Sequence, residues 1–146
     1  MNGNWEPILK NRPTLAKSSI PFFVIVLVVL FDQLSKAKFA SSYNSGIAFG
    51  FFSSLGLLNT VVAIIIVSLC SYFLLREKRE TISFALSLII GGGVSNIVDR
   101  LALGGVRDFV DLGFWPSFNL ADSAVTIGVV LLAFLILFGQ AKHERA

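Results

Sequence analysis

The sequence predicts an all-α membrane protein, a four-transmembrane-helix bundle with a small extracytoplasmic β-sheet or loop region. Three observations lead to this fold class. Hydrophobic residues make up 55% of the chain and charged residues only 14%, whereas an ordinary soluble domain has about 25% charged residues. Four apolar segments are long enough to cross a hydrocarbon core about 30 Å thick. The aspartates gather at one end of these segments.

The first predicted span covers residues 18–35 and follows a basic N-terminal arm that contains Pro7 and Pro13. Such an arm is typical of a segment that lies beside a membrane. A short apolar run after basic residues is also found in cleaved signal peptides. However, no clear A-x-A site follows this run, and three more apolar segments do. We therefore interpret it as a retained helix of one integral membrane domain, residues 1–146.

The other spans are predicted at residues 56–75, 82–98 and 122–141. Only the charged turn 76–80 separates the second span from the third, so these two helices are expected to be antiparallel neighbours. The outer segments are then residues 36–55 and 99–121.

The first outer segment contains both a turn signal and a strand signal. Asn44-Ser-Gly46 is typical of a turn, and Ile47, Phe49 and Phe51 alternate with small residues at the two-residue period of a strand. The pattern predicts a small sheet on the outer surface. An amphiphilic loop that rests on the bilayer is the alternative.

Cations are distributed unequally between the two ends of the bundle. The termini and the 76–80 turn carry eight lysines and arginines, and the opposite end carries four, which are Lys36, Lys38, Arg100 and Arg107. Because cytoplasmic loops carry an excess of positive charge, both termini are expected in the cytoplasm. All five aspartates then lie at the outer boundary: Asp32, Asp99, Asp108, Asp111 and Asp122.

Residue types exclude several kinds of site. A single cysteine, Cys70, and a single histidine, His143, cannot form a disulfide framework or a Cys/His metal cluster. The chain has no G-x-S-x-G, H-E-x-x-H or phosphate-loop motif, and its net charge of +3 is no evidence of nucleic-acid binding. A Ser/Lys dyad would need Lys36 or Lys38, which lie at a helix end and are expected to snorkel and stay protonated. We expect no metal and no cofactor.

Polar residues form a stripe at the outer end of three spans. Each stripe has the three- to four-residue spacing of one helix face. The stripes are Asp32, Ser35 and Lys36 in the first span; Ser95, Asn96 and Asp99 in the third; and Asn119, Asp122, Ser123 and Thr126 in the fourth. Polar faces of membrane helices look into the protein, so the three stripes are expected to converge on one site.

Asp108 and Asp122 are our candidates for a catalytic pair. Two carboxylates that share a proton can activate water for attack on a peptide carbonyl, because neighbouring like charges cannot both ionise. Asp122 has a structural alternative, since with Asn119 it would cap the fourth helix. Two other classes of function stay open at this point. One is a small proton-coupled transporter with intramembrane carboxylates, and the other is a non-enzymatic membrane assembly factor.

The remaining acids are given structural roles. Asp99, beside Arg100, is expected to be half of an ion pair that ties the third span to a loop. Asp32 is expected to pair with Lys36 one turn later, which is worth only tenths of a kcal/mol on an exposed helix. Asp111 is expected to be solvated.

One further cation, Arg107, is expected to make a surface or headgroup contact.

Five sequence blocks, in order, resemble the signature blocks of bacterial lipoprotein signal peptidase, also called signal peptidase II. They are Asp32-Gln-Leu-Ser-Lys36, Asn44-Ser-Gly-Ile-Ala-Phe49, Asn96-Ile-Val-Asp-Arg100, Val106-Arg-Asp-Phe109 and Phe118-Asn-Leu-Ala-Asp122-Ser123. The resemblance implies an aspartyl endopeptidase of the bacterial inner membrane that acts near the outer face. It implies removal of signal peptides from diacylglyceryl-modified prolipoproteins, with cleavage just before the lipid-modified cysteine. We expect a monomer whose partners are these precursors and membrane lipid.

The resemblance also implies roles for individual residues. Asp108 and Asp122 fall on the catalytic dyad of the family. Five residues match positions that support the dyad or hold substrate, namely Asp32, Asn44, Asn96, Arg100 and Asn119. Two departures stand out. Gly93 and Ser95 occupy positions where the family usually has Ala and Gly, which is expected to alter helix packing without touching a catalytic group. The 109–117 segment is short, so any lid that it forms is expected to be small.

Overall fold

The computed structural model describes residues 19–40, 42–44 and 56–139. These residues form four helices and two short strands. In chain order they are α1 (Ile20–Phe39), β1 (Ser42–Asn44), α2 (Gly56–Arg76), α3 (Glu80–Leu103), β2 (Val106–Asp108) and α4 (Leu120–Gly139). All four helices are long and apolar enough to cross a membrane. The predicted four-helix membrane fold is therefore confirmed.

Two helices extend several residues past the C-terminal ends predicted for them. α1 continues to Phe39 rather than ending at residue 35, and α3 continues to Leu103 rather than ending at residue 98. The C-cap of α3 is Gly104, whose φ of 78° is a left-handed conformation that glycine adopts without a Cβ clash. Asp99 and Arg100 consequently lie within a helix, and the connections that follow α1 and α3 are shorter than expected.

The centre of the bundle is α3. Among the residues of its span, 61% are buried, compared with 11% to 17% in the other three helices. It packs against α1, α2 and α4, and α1 also packs against α4. The other helices direct large apolar side chains outward, as lipid-facing helices do.

Three consecutive glycines, Gly91–Gly93, let α3 approach all three neighbours closely. Successive residues of an α-helix point about 100° apart, so each glycine faces a different helix. A Cβ on the first would lie 2.9 Å from Val28 Cβ of α1, and a Cβ on the third would lie 2.5 Å from Val67 Cγ2 of α2. A Cβ on Gly92 would collide with the backbone carbonyl of Ala121 in α4. Small residues therefore set the helix spacing, as they do in many membrane bundles.

The turn between α2 and α3 is only three residues long, and these helices pack against each other as predicted. The side chain and backbone of Arg79 donate hydrogen bonds to the carboxylate of Glu77. The side-chain hydrogen bond from Arg79 lowers the pKa of Glu77 to about 2. The turn therefore stays charged at neutral pH.

The two strands form a small antiparallel sheet that follows the C-terminal ends of α1 and α3 in the chain. Its register pairs Ser42 with Asp108, Tyr43 with Arg107 and Asn44 with Val106. A separate bridge between Val110 and Phe118 closes the 111–117 loop. The predicted strand at Ile47, Phe49 and Phe51 lies outside the described residues. The sheet and the bridge together hold the end of β2 close to the start of α4.

Candidate active site

Asp108 is the last residue of β2, and its relative exposure is 2%. The side-chain amide of Asn119 donates a hydrogen bond from Nδ2 to Asp108 Oδ1 over 2.8 Å. A buried carboxylate is stable only when hydrogen-bond donors replace the water that it has lost. Asn119 is one such donor.

Asp122 lies in the first turn of α4 and forms a reciprocal capping box with Asn119. Asn119 Oδ1 accepts the backbone N–H of Asp122 over 2.9 Å, and Asp122 Oδ2 accepts the backbone N–H of Asn119 over 3.2 Å. The other carboxylate oxygen accepts a hydrogen bond from Asn96 Nδ2 over 2.8 Å. The helix-capping interpretation of Asp122 is therefore correct, yet capping engages only one of the two carboxylate oxygens.

Both carboxylates line one cavity of about 560 Å³. Its wall contains residues of α2, α3, α4 and the segment before α4, and much of that wall is apolar: Ala63, Ile66, Ile89, Trp115, Phe118 and Val125. Asn96 and Arg100 also line the cavity. The Arg100 guanidinium interacts electrostatically with both Asp108 and Asp122. The cavity therefore combines a largely apolar wall with two acids and one cation that interacts with both.

Four charged residues that do not line the cavity form a group, which we call the ion cluster: Asp32, Lys36, Asp99 and Arg107. Lys36 Nζ lies 2.6 Å from Asp32 Oδ2 and 3.4 Å from Asp99 Oδ2. The side chains of these three residues are fully buried. The expectation that Lys36 snorkels was wrong. The predicted pairing of Asp32 with Lys36 is confirmed, but both side chains are buried and do not lie on an exposed helix. Because α1 continues past residue 35, Lys36 faces α3 instead of the headgroups.

Asp99 forms an ion pair that ties α3 to the segment after it, as predicted, and its partner is Arg107 of β2 rather than a loop residue. Arg107 Nη2 lies 2.7 Å from Asp99 Oδ1, while the Arg107 backbone N–H and Nε donate to Oδ2 over 3.0 and 3.2 Å. Hydrogen bonding to Asp99 raises the pKa of the Arg107 guanidinium above its usual value. The expected headgroup contact of Arg107 was therefore wrong. The pair anchors β2 one residue before Asp108.

Asp32 supports the N-terminus of α4. Its Oδ1 accepts the backbone N–H of Ala121 over 2.9 Å, and its Oδ2 accepts the Ser95 hydroxyl over 2.6 Å. A carboxylate at a helix N-terminus is favoured by the helix dipole. Ser95, where the family usually has glycine, therefore contacts a predicted supporting residue rather than only filling space between helices.

Two further residues from the sequence analysis are Asn44 and Asp111. Asn44 lies in β1 opposite Val106, two residue pairs from Asp108 along the ladder. Asp111 is exposed and accepts the backbone N–H of Gly113 over 2.8 Å, as expected for a solvated turn residue.

The sequence interpretation put Lys36 on an inward polar stripe but missed two other members of this polar network, Gln33 and Arg107. Gln33 donates to Asp99 Oδ1 over 3.0 Å and accepts from Arg107 Nη2 over 2.7 Å. A signal for the burial of Lys36 was present, because charged residues four apart in a membrane helix, here Asp32 and Lys36, are costly unless they pair inside the protein. Arg107 carried no such signal, since it lies in a strand.

The chemistry available here is proton transfer by carboxylates. Within residues 19–40, 42–44 and 56–139 no three His, Cys, Asp or Glu side chains are grouped so that they could hold a metal ion. Asp108 and Asp122 each have an amide donor, and they share one cavity that a peptide could enter. General acid–base catalysis requires such a pair of proton-accepting and proton-donating groups.

Comparison with known proteins gives a consistent result. The family model described as signal peptidase (SPase) II matches residues 37–138. The lipoprotein signal peptidase of Pelotomaculum thermopropionicum is 36% identical over 145 residues, which covers 85% of this chain and 95% of that protein. The lipoprotein signal peptidase of Burkholderia ambifaria is 38% identical, covering 76% of this chain and 83% of that protein.

Two solved structures, both described as bacterial membrane enzymes, have the same fold. The first superposes with a TM-score of 0.77 at 29% identity and covers 85% of this chain and 91% of that chain. The second has a TM-score of 0.72 at 29% identity and covers 82% and 94%.

Proposed function

This chain belongs to the signal peptidase II family and is a peptidase, and from that membership we propose that it removes signal peptides from lipid-modified bacterial prolipoproteins with Asp108 and Asp122 as its catalytic dyad. Cleavage is directly before the diacylglyceryl-cysteine. Membership in a peptidase family decides against the transporter and assembly-factor alternatives.

The observation that carries the proposed dyad is the shared position of Asp108 and Asp122 on one cavity. Asn119 connects them, since its amide donates to Asp108 and its carbonyl oxygen accepts from the Asp122 backbone. No other acid of the described part of the chain lines this cavity. Asp32 and Asp99 are engaged in the ion cluster instead.

The proposed reaction needs one proton shared between the two carboxylates. The ionised carboxylate accepts a proton from water as the water oxygen attacks the scissile carbonyl. The protonated carboxylate donates a hydrogen bond to that carbonyl oxygen and stabilises the developing negative charge. Collapse of the tetrahedral intermediate then breaks the C–N bond, and the carboxylate that took the proton from water passes it to the leaving amine. Arg100, close to both acids, is proposed to help to hold the peptide.

The apolar part of the cavity suits an apolar substrate. Residues of α2 and α4 form two of its walls, including Ala63, Ile66 and Val125. We place the signal helix between these walls, with its lipid-modified cysteine beside the carboxylates. The signal helix would reach the site sideways from the bilayer, so it would not have to leave the lipid.

Incubation of the purified protein with a purified diacylglyceryl-modified precursor is the direct test. We expect a product that begins at the modified cysteine, and we expect cleavage to persist in a metal chelator and in thiol-directed reagents. Cys70 lies in α2 and does not line the cavity, so Cys70→Ala is expected to retain activity.

The matched control is the same precursor with serine in place of the modified cysteine, which cannot carry the lipid and is expected to stay intact. Failure to cleave the modified precursor would overturn the proposed function. Strong inhibition by the chelator at neutral pH would overturn the two-carboxylate mechanism.

The proposal also requires that the carboxylates lie near the outer face of the membrane, with both termini in the cytoplasm. In a Cys70→Ala background we expect Ala102→Cys, at the outer end of α3, to react with a membrane-impermeant thiol reagent applied to intact cells. Lys78→Cys, in the turn between α2 and α3, is expected to react only after the inner membrane is opened. The reverse pattern would put Asp108 and Asp122 on the side where translocated precursors are absent, and the orientation would be wrong.

A further inference from the structure

Lys36 has a buried ammonium group that the proposed reaction does not use. It has a relative exposure of 1%, and its Nζ has three acceptors within reach. Two belong to the ion cluster, Asp32 and Asp99, and the third is Asn96 Oδ1 at 2.8 Å. An ammonium group has three hydrogens and no lone pair, so all three of its donors have an acceptor. The ion cluster, with two carboxylates and two cations, needs no further charge to be neutral.

The contact with Asn96 has a consequence for the dyad. An asparagine amide has one accepting end and one donating end, and Lys36 can only donate. The oxygen of Asn96 must therefore face Lys36, and its NH₂ group must face the opposite way. On that side lies Asp122 Oδ1, at 2.8 Å from Asn96 Nδ2.

The opposite amide orientation would be unfavourable at both ends. The amide oxygen would face the Asp122 carboxylate, and the NH₂ group would face the Lys36 ammonium. Asn119 adds to the preference, because its Nδ2 also donates to Asn96 Oδ1, over 3.2 Å. If Lys36 were replaced, the longer hydrogen bond from Asn119 would be the contact of this network that still holds the Asn96 oxygen in place.

We propose that Lys36 is a positioning residue for the reaction, which orients the Asn96 amide so that it donates to Asp122. Lys36 does not line the cavity, and its charge also interacts electrostatically with Asp122. The positioning effect proposed here is separate from that charge interaction and acts through one intervening side chain, Asn96. The inference rests on the proposed dyad, since the orientation of Asp122 matters to the rate only when Asp122 takes part in the reaction.

Lys36→Met is the variant that tests the inference, because methionine is similar in length and cannot donate. Misplacement of a reacting group by about 1 Å can lower a rate by about 100-fold. We therefore expect the kcat of folded Lys36→Met to fall by about 10-fold to 100-fold, with a KM within about twofold of the wild type.

A double-mutant cycle separates this role from a general loss of stability. If Lys36 acts through Asn96, Lys36→Met should have little further effect on kcat once Asn96→Ala is present. If Lys36 only stabilises the bundle, its effect on kcat should be the same in both backgrounds. An unchanged kcat in folded Lys36→Met, or full additivity in the cycle, would overturn the inference.

Ser95→Ala is the matched control, because the buried Ser95 hydroxyl bonds with Asp32 and Gln33 and not with the side-chain amide of Asn96, its neighbour in the chain. It is expected to lower thermal stability while its effect on kcat stays small and additive with Asn96→Ala.

If Lys36→Met does not fold, the charge-balanced pair Lys36→Met with Asp32→Asn replaces it, and Asp32→Asn becomes the reference for the cycle. Wild-type protein is assayed in parallel. If it fails to cleave the lipid-modified precursor, the proposed function fails and the inference falls with it, whereas an additive cycle in active protein overturns the inference alone.

Discussion

Replacing Asp108 or Asp122 by asparagine is expected to lower the cleavage rate by about 1000-fold or more, while the protein stays folded in the membrane. Asparagine keeps the shape of the side chain, and its oxygen can still accept the hydrogen bonds from Asn119 or Asn96. It cannot exchange a proton in the working pH range. The measurement is single-turnover cleavage of a lipid-modified precursor by purified variants.

Asp111→Asn is the matched control for both substitutions. Asp111 has the same chemistry, lies three residues after Asp108, and is exposed in the loop. Its carboxylate accepts the Gly113 backbone N–H, which an asparagine oxygen can also do. We expect a rate close to that of the wild type. Retention of more than about a tenth of wild-type turnover by either of the first two variants would remove that residue from the proposed dyad.

Gly92→Ala is expected to produce the second large loss of activity, although Gly92 does not line the cavity. Its new Cβ would meet the backbone carbonyl of Ala121, and backbone cannot rotate away as a side chain can. The start of α4 would have to shift, and Asp122 would shift with it, away from Asn96. We expect a rate loss of about 100-fold, together with a lower unfolding temperature from overpacking that costs about 1–3 kcal/mol.

The neighbouring glycine provides the control for this substitution. Gly93, unlike Gly92, lines the cavity, but a Cβ on it would come close only to the Val67 side chain and to no backbone atom. Gly93→Ala is therefore expected to lower both the rate and the unfolding temperature much less than Gly92→Ala. Equal effects of the two substitutions would mean that the α3–α4 spacing does not determine the position of Asp122.

Much of the fold could be predicted from the sequence because crossing a bilayer imposes a length and a composition. Runs of about twenty apolar residues are a direct physical signal, and all four helices were found this way. The helix ends were predicted less well, since a polar residue such as Lys36 can end a span or turn inward. Only the tertiary structure distinguishes these outcomes, because the side chain is buried only when another helix supplies a hydrogen-bond acceptor for it.

The candidate site could be predicted only in outline. Helical spacing correctly put Asp122, Asn119 and Asn96 on inward faces, and the structure joins all three by hydrogen bonds. The pairing of Asp99 with Arg107 follows from the path of the chain after Gly104, where α3 ends and β2 returns toward it. No local pattern encodes that return.

Asn119 has two tasks that cannot be separated, since one side chain both caps α4 and holds the carboxylate of Asp108. Most enzymes can lose a catalytic group and persist as folded, inactive protein. Here, loss of Asn119 would fray the start of a membrane helix at the same moment that it removes one hydrogen-bond donor from the proposed catalytic acid Asp108. Cellular proteases remove such partly unfolded chains, and modest losses of stability change abundance several-fold. Selection against a defect at this position would therefore act on the amount of protein in the membrane as much as on its turnover.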